Sequence, residues 1–342
     1  MKFKVETTRK IAVFRALQLG DMLCAIPAIR ALRAAYPEAE ISLLGLPWAS
    51  TLCTRFPAYF DRFIHFPGFH GLPEQTFDPD AWLRFTHKMQ QEQFNLILQM
   101  QGNGNIVNDM LENLSAGPVA GFHSEGNHRN SDAFMEYPLG ISEILRHIHL
   151  MEYLGIPSLG TELEFPIFET EIEKLHSDFP FLRQGRYVCV HPGSRGSWRQ
   201  WPTSHFACLA DHCAGLGYRV VVTGTAAEAA ITSEVIGLME YPAIDLTGKT
   251  GLGEMAQLIK EADLLISNCT GVSHVAAATK TPSVVISMDG EPERWGPLNK
   301  NLHHTIDWIS NPDFDLAMKA LTSLLEAKKT ETSSSVNQPV GQ

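Results

Sequence analysis

A carboxylate follows the first apolar run of the chain in a place that suits proton transfer. Residues 11–17 (IAVFRAL) are followed by Leu19-Gly20-Asp21, and residues 22–35 have the composition of a helix. Asp21 therefore stands where a helix N-cap belongs, and capping is one interpretation. The other is a general base that projects into a cleft and takes a proton from a substrate hydroxyl, its ionised form favoured by the helix N-terminus.

A small-residue loop with nearby arginines follows the first apolar run of the second half. Residues 187–191 (YVCVH) lead into Gly193 and Ser194, and Arg195 and Arg199 come directly behind them. Glycine permits close backbone approach to a phosphate, and a guanidinium can hold two phosphate oxygens at once. The loop therefore predicts a phosphate site; solvated arginines on a surface loop are the alternative.

Two further turns join an apolar run to a helical stretch. Glu228 stands in a first helical turn after residues 219–223, where a carboxylate can bind a ribose diol, although acidic residues are common there for dipole reasons alone. Thr270 and Gly271 open a small-residue helix whose free N–H groups would hold a diphosphate. His274 would add a donor, with a buried structural histidine as the alternative.

Motifs that bind dinucleotides or metal ions are incomplete. Gly102-Asn103-Gly104 lacks the third glycine of the G-x-G-x-x-G fingerprint, so a nicotinamide cofactor is not expected. Asp78-Pro79-Asp80 has the D-x-D form of some metal-dependent transferases, but it lies in a loop-rich region, residues 57–80, with no strand leading into it. We therefore expect neither a metal nor a cofactor.

The composition is that of a globular protein with room for two domains. Of 342 residues, 44% are hydrophobic and 19% are charged, and the formal net charge is −11. Such an acidic chain lacks the basic surface of a nucleic-acid binder, so an anionic ligand needs local cations or helix ends. Arg15 and Asp21 interrupt the apolar stretch 11–29, which excludes a signal peptide or membrane span there. We expect a cytoplasmic protein with reduced cysteines.

Short apolar runs alternate with amphipathic stretches, which predicts an α/β fold with doubly wound parallel sheets. The predicted domains are residues 1–165 and 180–312, followed by a terminal helix at 313–328 and a disordered tail at 329–342. In such sheets, ligands bind where strands end and helices begin. The four polar turns lie at such positions.

In their order and spacing, these turns resemble glycosyltransferase family nine, the bacterial ADP-heptose:lipopolysaccharide heptosyltransferase family. The resemblance covers most of residues 10–300. It rests on the opening strand, L-G-D turn and helix, on H-P-G-S…W-R-Q-W-P, on S-N-C-T-G-V-S-H-V-A-A-A, and on T-P-S-V-V-I and E-P-E-R-W-G-P behind them. It implies a GT-B architecture of two Rossmann-like domains facing a central cleft, the N-terminal one for the acceptor and the C-terminal one for a nucleotide sugar.

The resemblance also implies an activity and its residues. The reaction would be inverting, metal-independent transfer of a heptose-like sugar from a nucleoside diphosphate, ADP-heptose above all, to a lipopolysaccharide-core or related glycan. Asp21 matches the catalytic base. The implied donor-binding residues are Ser194, Arg199, Glu228, Thr270, Gly271 and His274. Acceptors of this family lie at the inner membrane, which implies peripheral contact with its cytoplasmic face, although the sequence contains no strongly basic amphipathic helix.

Two positions depart from the family pattern. Arg199 stands where the family usually has lysine, which keeps the charge and changes the contact geometry. Cys269 stands where the family usually has aspartate, which removes an acceptor for sugar or ribose hydroxyls. Two other functions therefore stay open: a sugar-nucleotide epimerase, which needs no acceptor, and an inactive sugar-nucleotide-binding protein.

Overall fold

The chain divides into two compact units, each built on one parallel sheet of six strands. The computed structural model describes residues 1–114, 117–126 and 132–336. Unit 1 is Met1–Pro166 and unit 2 is Ile167–Gln342. The α/β class with doubly wound parallel sheets, predicted from the alternation of apolar runs and amphipathic stretches, is confirmed.

Unit 1 has the strand order β3-β2-β1-β4-β5-β6. Its strands are β1 (Lys10–Phe14), β2 (Glu40–Gly45), β3 (Arg62–His65), β4 (Leu96–Gln99), β5 (Val119–His123) and β6 (Phe134–Glu136). Its helices are α1 (Leu19–Ala35), α2 (Ser50–Arg55), α3 (Pro79–Glu92), α4 (Val107–Leu114) and α5 (Glu143–Tyr153). This is the strand order of a dinucleotide-binding fold.

Unit 2 repeats that order with its own elements, β9-β8-β7-β10-β11-β12. Its strands are β7 (Tyr187–His191), β8 (Arg219–Val222), β9 (Ala243–Asp245), β10 (Leu264–Asn268), β11 (Ser283–Ser287) and β12 (His303–Asp307). Its helices are α6 (Glu169–Asp178), α7 (Thr203–Gly215), α8 (Ala229–Leu238), α9 (Leu252–Glu261), α10 (Gly271–Thr279), α11 (Pro292–Trp295) and α12 (Phe314–Val336).

The strand order reverses once in each sheet, between β1 and β4 in unit 1 and between β7 and β10 in unit 2. At such a reversal the two crossover connections leave in opposite directions, and a crevice opens at the carboxyl ends of the strands. Three of the four polar turns found in the sequence follow one of these four strands. The fourth follows β8, the neighbour of β7.

The central strands are buried on both faces, which explains their continuous apolar sequence. Ile11, Val13 and Phe14 of β1 have no exposed surface, and the same holds for Val188 and Val190 of β7. A parallel sheet covered by helices on both sides needs apolar residues at successive positions rather than at alternate ones. This is why the central strands were visible in the sequence as uninterrupted runs.

The region 57–80 is more regular than its loop-like sequence indicated. It contains the edge strand β3, in which only Ile64 is buried, so the strand mixes polar with apolar types. It also contains the start of α3, where the Asp78 carboxylate accepts hydrogen bonds from the backbone N–H groups of Asp80 (2.9 Å) and Ala81 (3.1 Å). The D-x-D sequence is thus a helix N-terminus with proline at its first position.

The C-terminal helix is longer than predicted. Helix α12 extends to Val336, so the predicted end at residue 328 is too early and part of the expected disordered tail is helical. Extending a formed helix adds one hydrogen bond per ordered residue, so a polar Ser/Thr sequence can continue it. The remainder of that tail, residues 337–342, lies outside the described residues. Neither α12 nor any other helix in the described ranges is long and apolar enough to cross a bilayer.

The core of unit 2 provides a direct test of its packing. Leu209 on α7 is fully buried, whereas Leu238 at the end of α8 is 50% exposed. We expect Leu209→Ala to lower the free energy of unfolding by about 2–5 kcal/mol, because it leaves a cavity in a close-packed core. Leu238→Ala is the matched control and should change it by less than about 0.5 kcal/mol. Urea unfolding followed by tryptophan fluorescence measures both, and equal effects would contradict the assigned core.

Candidate active site

Asp21 lies at the strand-order reversal of unit 1, in the first turn of the helix that follows β1. It is the third residue of α1, and the N-cap position predicted for it belongs to Gln18 instead. Its Oδ2 accepts a hydrogen bond from the Gln18 backbone N–H at 3.3 Å, the contact that an acidic third residue makes in a capping box. About a quarter of the side chain (24%) is exposed. Asp21 thus contributes to capping and remains accessible to a ligand.

A fully buried arginine connects Asp21 to the neighbouring strand. The Arg15 Nε donates to the Asp21 backbone oxygen at 2.9 Å, and Nη2 lies 4.0 Å from the Asp21 carboxylate oxygen Oδ1. Its Nη1 donates to the backbone oxygen of Met100, directly after β4. The guanidinium therefore fixes the first turn of α1 against the end of the adjacent strand.

Arg15 is neutralised by a buried carboxylate on α5. Glu143 Oε1 lies 3.1 Å from Arg15 Nη2, and Glu143 also pairs with Arg146 and lies 3.2 Å from His147 Nε2. All four side chains are at most 3% exposed. Burial alone would raise the pKa of Glu143, but its contact with His147 and the charges of the two arginines hold that pKa well below its usual range. A buried carboxylate kept ionised in this way satisfies two buried cations.

Sequence reasoning missed the positioning role of Arg15 and Glu143. The signal for Arg15 was a charged residue within an otherwise apolar strand pattern, because a charge in such a place must find a partner. Its partner is 128 residues away. No local pattern marks Glu143, whose place in the first turn of α5 resembles that of any acidic residue near a helix N-terminus.

In unit 2, one asparagine joins the two strand ends at the reversal. Asn268, the last residue of β10, donates from Nδ2 to the Pro192 backbone oxygen at 2.7 Å and accepts at Oδ1 from the Trp201 backbone N–H at 3.1 Å. The loop after β7 is thereby attached to β10 at both of its ends. Ser194 within this loop is buried, at 7% exposure.

Glu228 lies against the glycine of the same loop. Its Oε2 accepts from the Thr225 backbone N–H (2.7 Å) and from the Thr225 hydroxyl (2.9 Å). A Cβ atom at position 193 would come within 2.2 Å of Glu228 Oε1, so only glycine leaves room for the carboxylate. The structure therefore brings Glu228 together with the 191–194 loop.

Arg199 is held by a carboxylate that sequence reasoning did not single out. Its Nη2 donates to Oδ2 of Asp289, in the turn after β11. The other oxygen of Asp289 accepts from the Ser287 hydroxyl (2.8 Å) and the Glu291 backbone N–H (3.2 Å). Burial raises the pKa of Asp289, but these hydrogen bonds and the Arg199 charge outweigh it, so the net pKa is lowered. Arg199 is 31% exposed and Asp289 only 6%, so the cation is the accessible member of the pair.

The turn after β10 places Thr270 at the N-cap of α10 and Gly271 at its first position. The Thr270 backbone oxygen accepts from the Ser273 hydroxyl at 2.7 Å. Cys269 is buried, and burial together with the negative charge of Asp289 raises the pKa of its thiol to about 12. His274 is buried, at 3% exposure. Cys269 therefore contributes no charge at this turn.

Comparison with known proteins decides the family. The sequence profile of glycosyltransferase family 9 (heptosyltransferase) matches residues 82–320. The chain belongs to glycosyltransferase family 9. It is accordingly a glycosyltransferase. Lipopolysaccharide heptosyltransferase 3 of Escherichia coli is 25% identical over 293 residues, covering 83% of each chain, and lipopolysaccharide heptosyltransferase 2 of Salmonella typhimurium is 24% identical over 317 residues, covering 85% of this chain and 86% of that one.

Solved structures of a family 9 glycosyltransferase and of two heptosyltransferases share the fold. The family 9 glycosyltransferase of Veillonella parvula has a TM-score of 0.76 at 20% identity, covering 93% of this chain and 98% of its own. ADP-heptose lipopolysaccharide heptosyltransferase II of E. coli has a TM-score of 0.74 at 19% identity, covering 94% and 99%. E. coli heptosyltransferase WaaC, solved with ADP, has a TM-score of 0.69 at 16% identity, covering 93% and 99%.

His147 makes the stability of this family 9 chain depend on pH. Burial and the charge of Arg15 lower the pKa of His147 from 6.5 to about 4. Because the folded-state pKa lies below that of the unfolded chain, the stabilisation is complete above pH 6.5 and is lost as the pH falls toward 4, by up to about 3 kcal/mol. We expect His147→Gln to flatten the decline in unfolding free energy across this window.

Chemical denaturation at several pH values between 4.5 and 7 provides the measurement, within the titration range of histidine. His87→Gln, a change at an exposed histidine on α3, serves as the control and should keep the acid sensitivity of the unmodified chain. Parallel pH–stability curves for His147→Gln and the unmodified chain would contradict the assignment.

Proposed function

We propose that the chain transfers a heptose-like sugar from ADP-heptose to a lipopolysaccharide-core glycan with inversion at the anomeric carbon. The observation that carries the proposal is the place of Asp21: partly exposed, at the strand-order reversal of unit 1, with its backbone held by buried Arg15. A carboxylate fixed in this way can act as a general base. The proposed acceptor places the reaction at the cytoplasmic face of the inner membrane.

In the proposed mechanism, Asp21 takes the proton from the acceptor hydroxyl as its oxygen attacks the anomeric carbon. The bond from that carbon to the diphosphate oxygen breaks in the same displacement, which inverts the configuration. Negative charge develops on the leaving nucleoside diphosphate. Fixed donors that point at this charge lower the barrier.

The donor half of the mechanism is assigned to unit 2. Arg199, the accessible cation beside Asp289, would contact the diphosphate, and the Thr270-Gly271 turn would offer the first N–H groups of α10. Glu228 would accept hydrogen bonds from the ribose hydroxyls through Oε1, and Ser194 and His274 stay predicted members of the site. These groups supply positive charge without a divalent ion, which is why metal independence is part of the proposal.

ADP as the nucleotide is supported by two E. coli WaaC structures, one with ADP and one with ADP-2-deoxy-2-fluoro heptose. Their TM-scores to this chain are 0.69 and 0.66. The lipopolysaccharide acceptor is supported by the curated relatives, which are lipopolysaccharide heptosyltransferases 2 and 3. Cys269, in place of the family's usual aspartate, favours one competing function: a nucleotide-sugar binder that has lost transfer activity.

Asp21→Asn separates catalysis from donor binding. The amide cannot accept the proton of the acceptor hydroxyl, so we expect turnover to fall by roughly 10²–10⁴-fold. Affinity for ADP should stay within about twofold, because the proposed donor residues all lie in unit 2. Steady-state transfer assays and calorimetric ADP titration measure the two effects.

Asp109→Asn is the matched control for that variant. Asp109 is likewise an acidic residue in the first turn of a unit 1 helix, α4. We expect its turnover to remain near that of the unmodified chain. Full activity in Asp21→Asn, or an equal loss in both variants, would remove Asp21 from the mechanism.

A thermal-shift titration identifies the nucleotide. ADP, UDP, GDP, CDP and NAD are each added with EDTA and then with Mg²⁺. A ligand at 100 times its dissociation constant stabilises the fold by about 2.7 kcal/mol, a readily measured shift. We expect a shift with ADP that does not require Mg²⁺. A shift with ADP but no transfer from ADP-heptose to any core glycan would favour the inactive binder, and no shift with any diphosphate would refute the donor site.

A further inference from the structure

The ion pair between Arg199 and Asp289 connects two turns that are 90 residues apart in the sequence. Asp289 is held from two other directions, by the Ser287 hydroxyl and the Glu291 backbone N–H. Its side chain is 6% exposed. A carboxylate with three donors and so little exposed surface is an anchor rather than a ligand contact.

Arg199, unlike Asp289, has a side chain that a ligand can reach. It sits in a short 3-10 turn, Ser197–Arg199, and its guanidinium lies 5.3 Å from the ring centroid of Trp198, which is 67% exposed. One nitrogen, Nη2, is engaged by Asp289. A guanidinium carries five N–H donors in one plane, so anchoring it at Nη2 leaves donors oriented for an oxyanion. The anchor also removes much of the rotamer freedom that an arginine loses on binding.

Cys269 lies beside this pair. It follows β10, and its backbone N–H donates to the oxygen of Ile286 on the neighbouring strand β11 at 2.8 Å. Asp289 follows β11, so the two residues occupy the ends of adjacent parallel strands. The charges of Asp289 and Arg199 both act on the Cys269 thiol. A carboxylate at position 269 would stand close to that of Asp289, and like charges at close range are unfavourable.

We propose that Asp289 is the positioning residue for the donor diphosphate: from the end of β11 it orients Arg199, beside a turn after β10 that carries no carboxylate at Cys269. This inference rests on the proposed function, since the ligand it serves is the nucleoside diphosphate. The two departures from the family pattern, Arg199 and Cys269, then depend on each other through Asp289. Arginine at 199 requires a carboxylate at 289, and the carboxylate at 289 requires a neutral residue at 269.

ADP affinity of the purified full chain, measured by calorimetry in EDTA, tests the inference. Asp289→Asn keeps an acceptor for Ser287 and Glu291 but loses the charge that pairs with Arg199. We expect ADP affinity to fall about tenfold or more, which corresponds to about 1.4 kcal/mol. In an Arg199→Met background the same change should alter affinity by less than about twofold, because the group through which Asp289 acts is gone.

A charge swap tests the relation between positions 269 and 289. Cys269→Asp alone should weaken ADP binding and lower the thermal unfolding temperature, because two carboxylates then stand side by side. Cys269→Asp combined with Asp289→Asn returns one carboxylate to the site and should recover most of the affinity lost in Asp289→Asn. A merely structural role for Asp289 would not be rescued from the neighbouring strand.

Asp313→Asn is the matched control. Asp313 lies in unit 2 before α12 and, like Asp289, accepts from the backbone N–H two residues further on, that of Asp315 (2.9 Å). Its variant should bind ADP like the unmodified chain. Circular dichroism and the unfolding temperature without ligand confirm that each variant is folded.

The outcomes separate this inference from the function on which it rests. If the unmodified chain binds no ADP, the proposed function and this inference are both overturned. If it binds ADP and Asp289→Asn binds equally well, or loses the same affinity with and without Arg199, the inference alone is overturned. Failure of the charge swap to restore binding overturns the link to Cys269. A loss that depends on Arg199 and is rescued by the swap supports the proposal.

Discussion

The structure depends on how each sheet satisfies its polar groups at the place where the strand order reverses. The two strands there send their connections in opposite directions, so their carboxyl ends have backbone groups that no regular element covers, and buried backbone groups need partners. Unit 1 meets this need with Arg15, which bonds to the start of α1 and to the residue after β4. Unit 2 uses the neutral Asn268 for the same purpose between β7 and β10. The polar groups that close the fold also hold in place the turns to which we assign ligand binding.

Arg15 and Asn268 differ in whether they need a partner elsewhere in the fold. A neutral amide such as Asn268 satisfies its own donors and acceptor locally. A buried guanidinium needs a countercharge, and Glu143 provides it from α5. Glu143 is then shared with Arg146, so one carboxylate faces two cations and a neutral His147. Removing Glu143 leaves two buried cations without compensation, which costs far more than an exposed ion pair contributes. The position of Asp21 is thereby tied to the integrity of α5.

The sequence was most informative where burial is complete. Strand β7 at Tyr187–His191 has the predicted bounds, and helix α10 begins at the predicted Gly271, because apolar runs and small-residue helices leave little ambiguity. The four edge strands β3, β6, β9 and β12 were missed, since a partly exposed strand carries polar residues and shows no run. The buried strand β5 was missed as well. Asp21 and Arg199 were found as candidates by their place after a strand. Their partners were not, because Glu143 and Asp289 are remote in sequence and nothing local distinguishes them from other acidic residues.

An acidic chain that binds a dianionic diphosphate cannot rely on its overall field. With a net charge of −11, long-range steering opposes the ligand, so affinity must come from donors already in place when the ligand arrives. Pairing Arg199 with Asp289 reduces the net positive charge at the site and fixes the direction of the remaining N–H groups. If net charge alone held the diphosphate, the lower positive charge would weaken binding. Hydrogen bonds, however, depend on angle, and an arginine that is already fixed loses less rotamer entropy when it forms them. The pairing therefore strengthens binding through hydrogen bonds. A carboxylate next to a phosphate-binding cation is therefore consistent with a donor site.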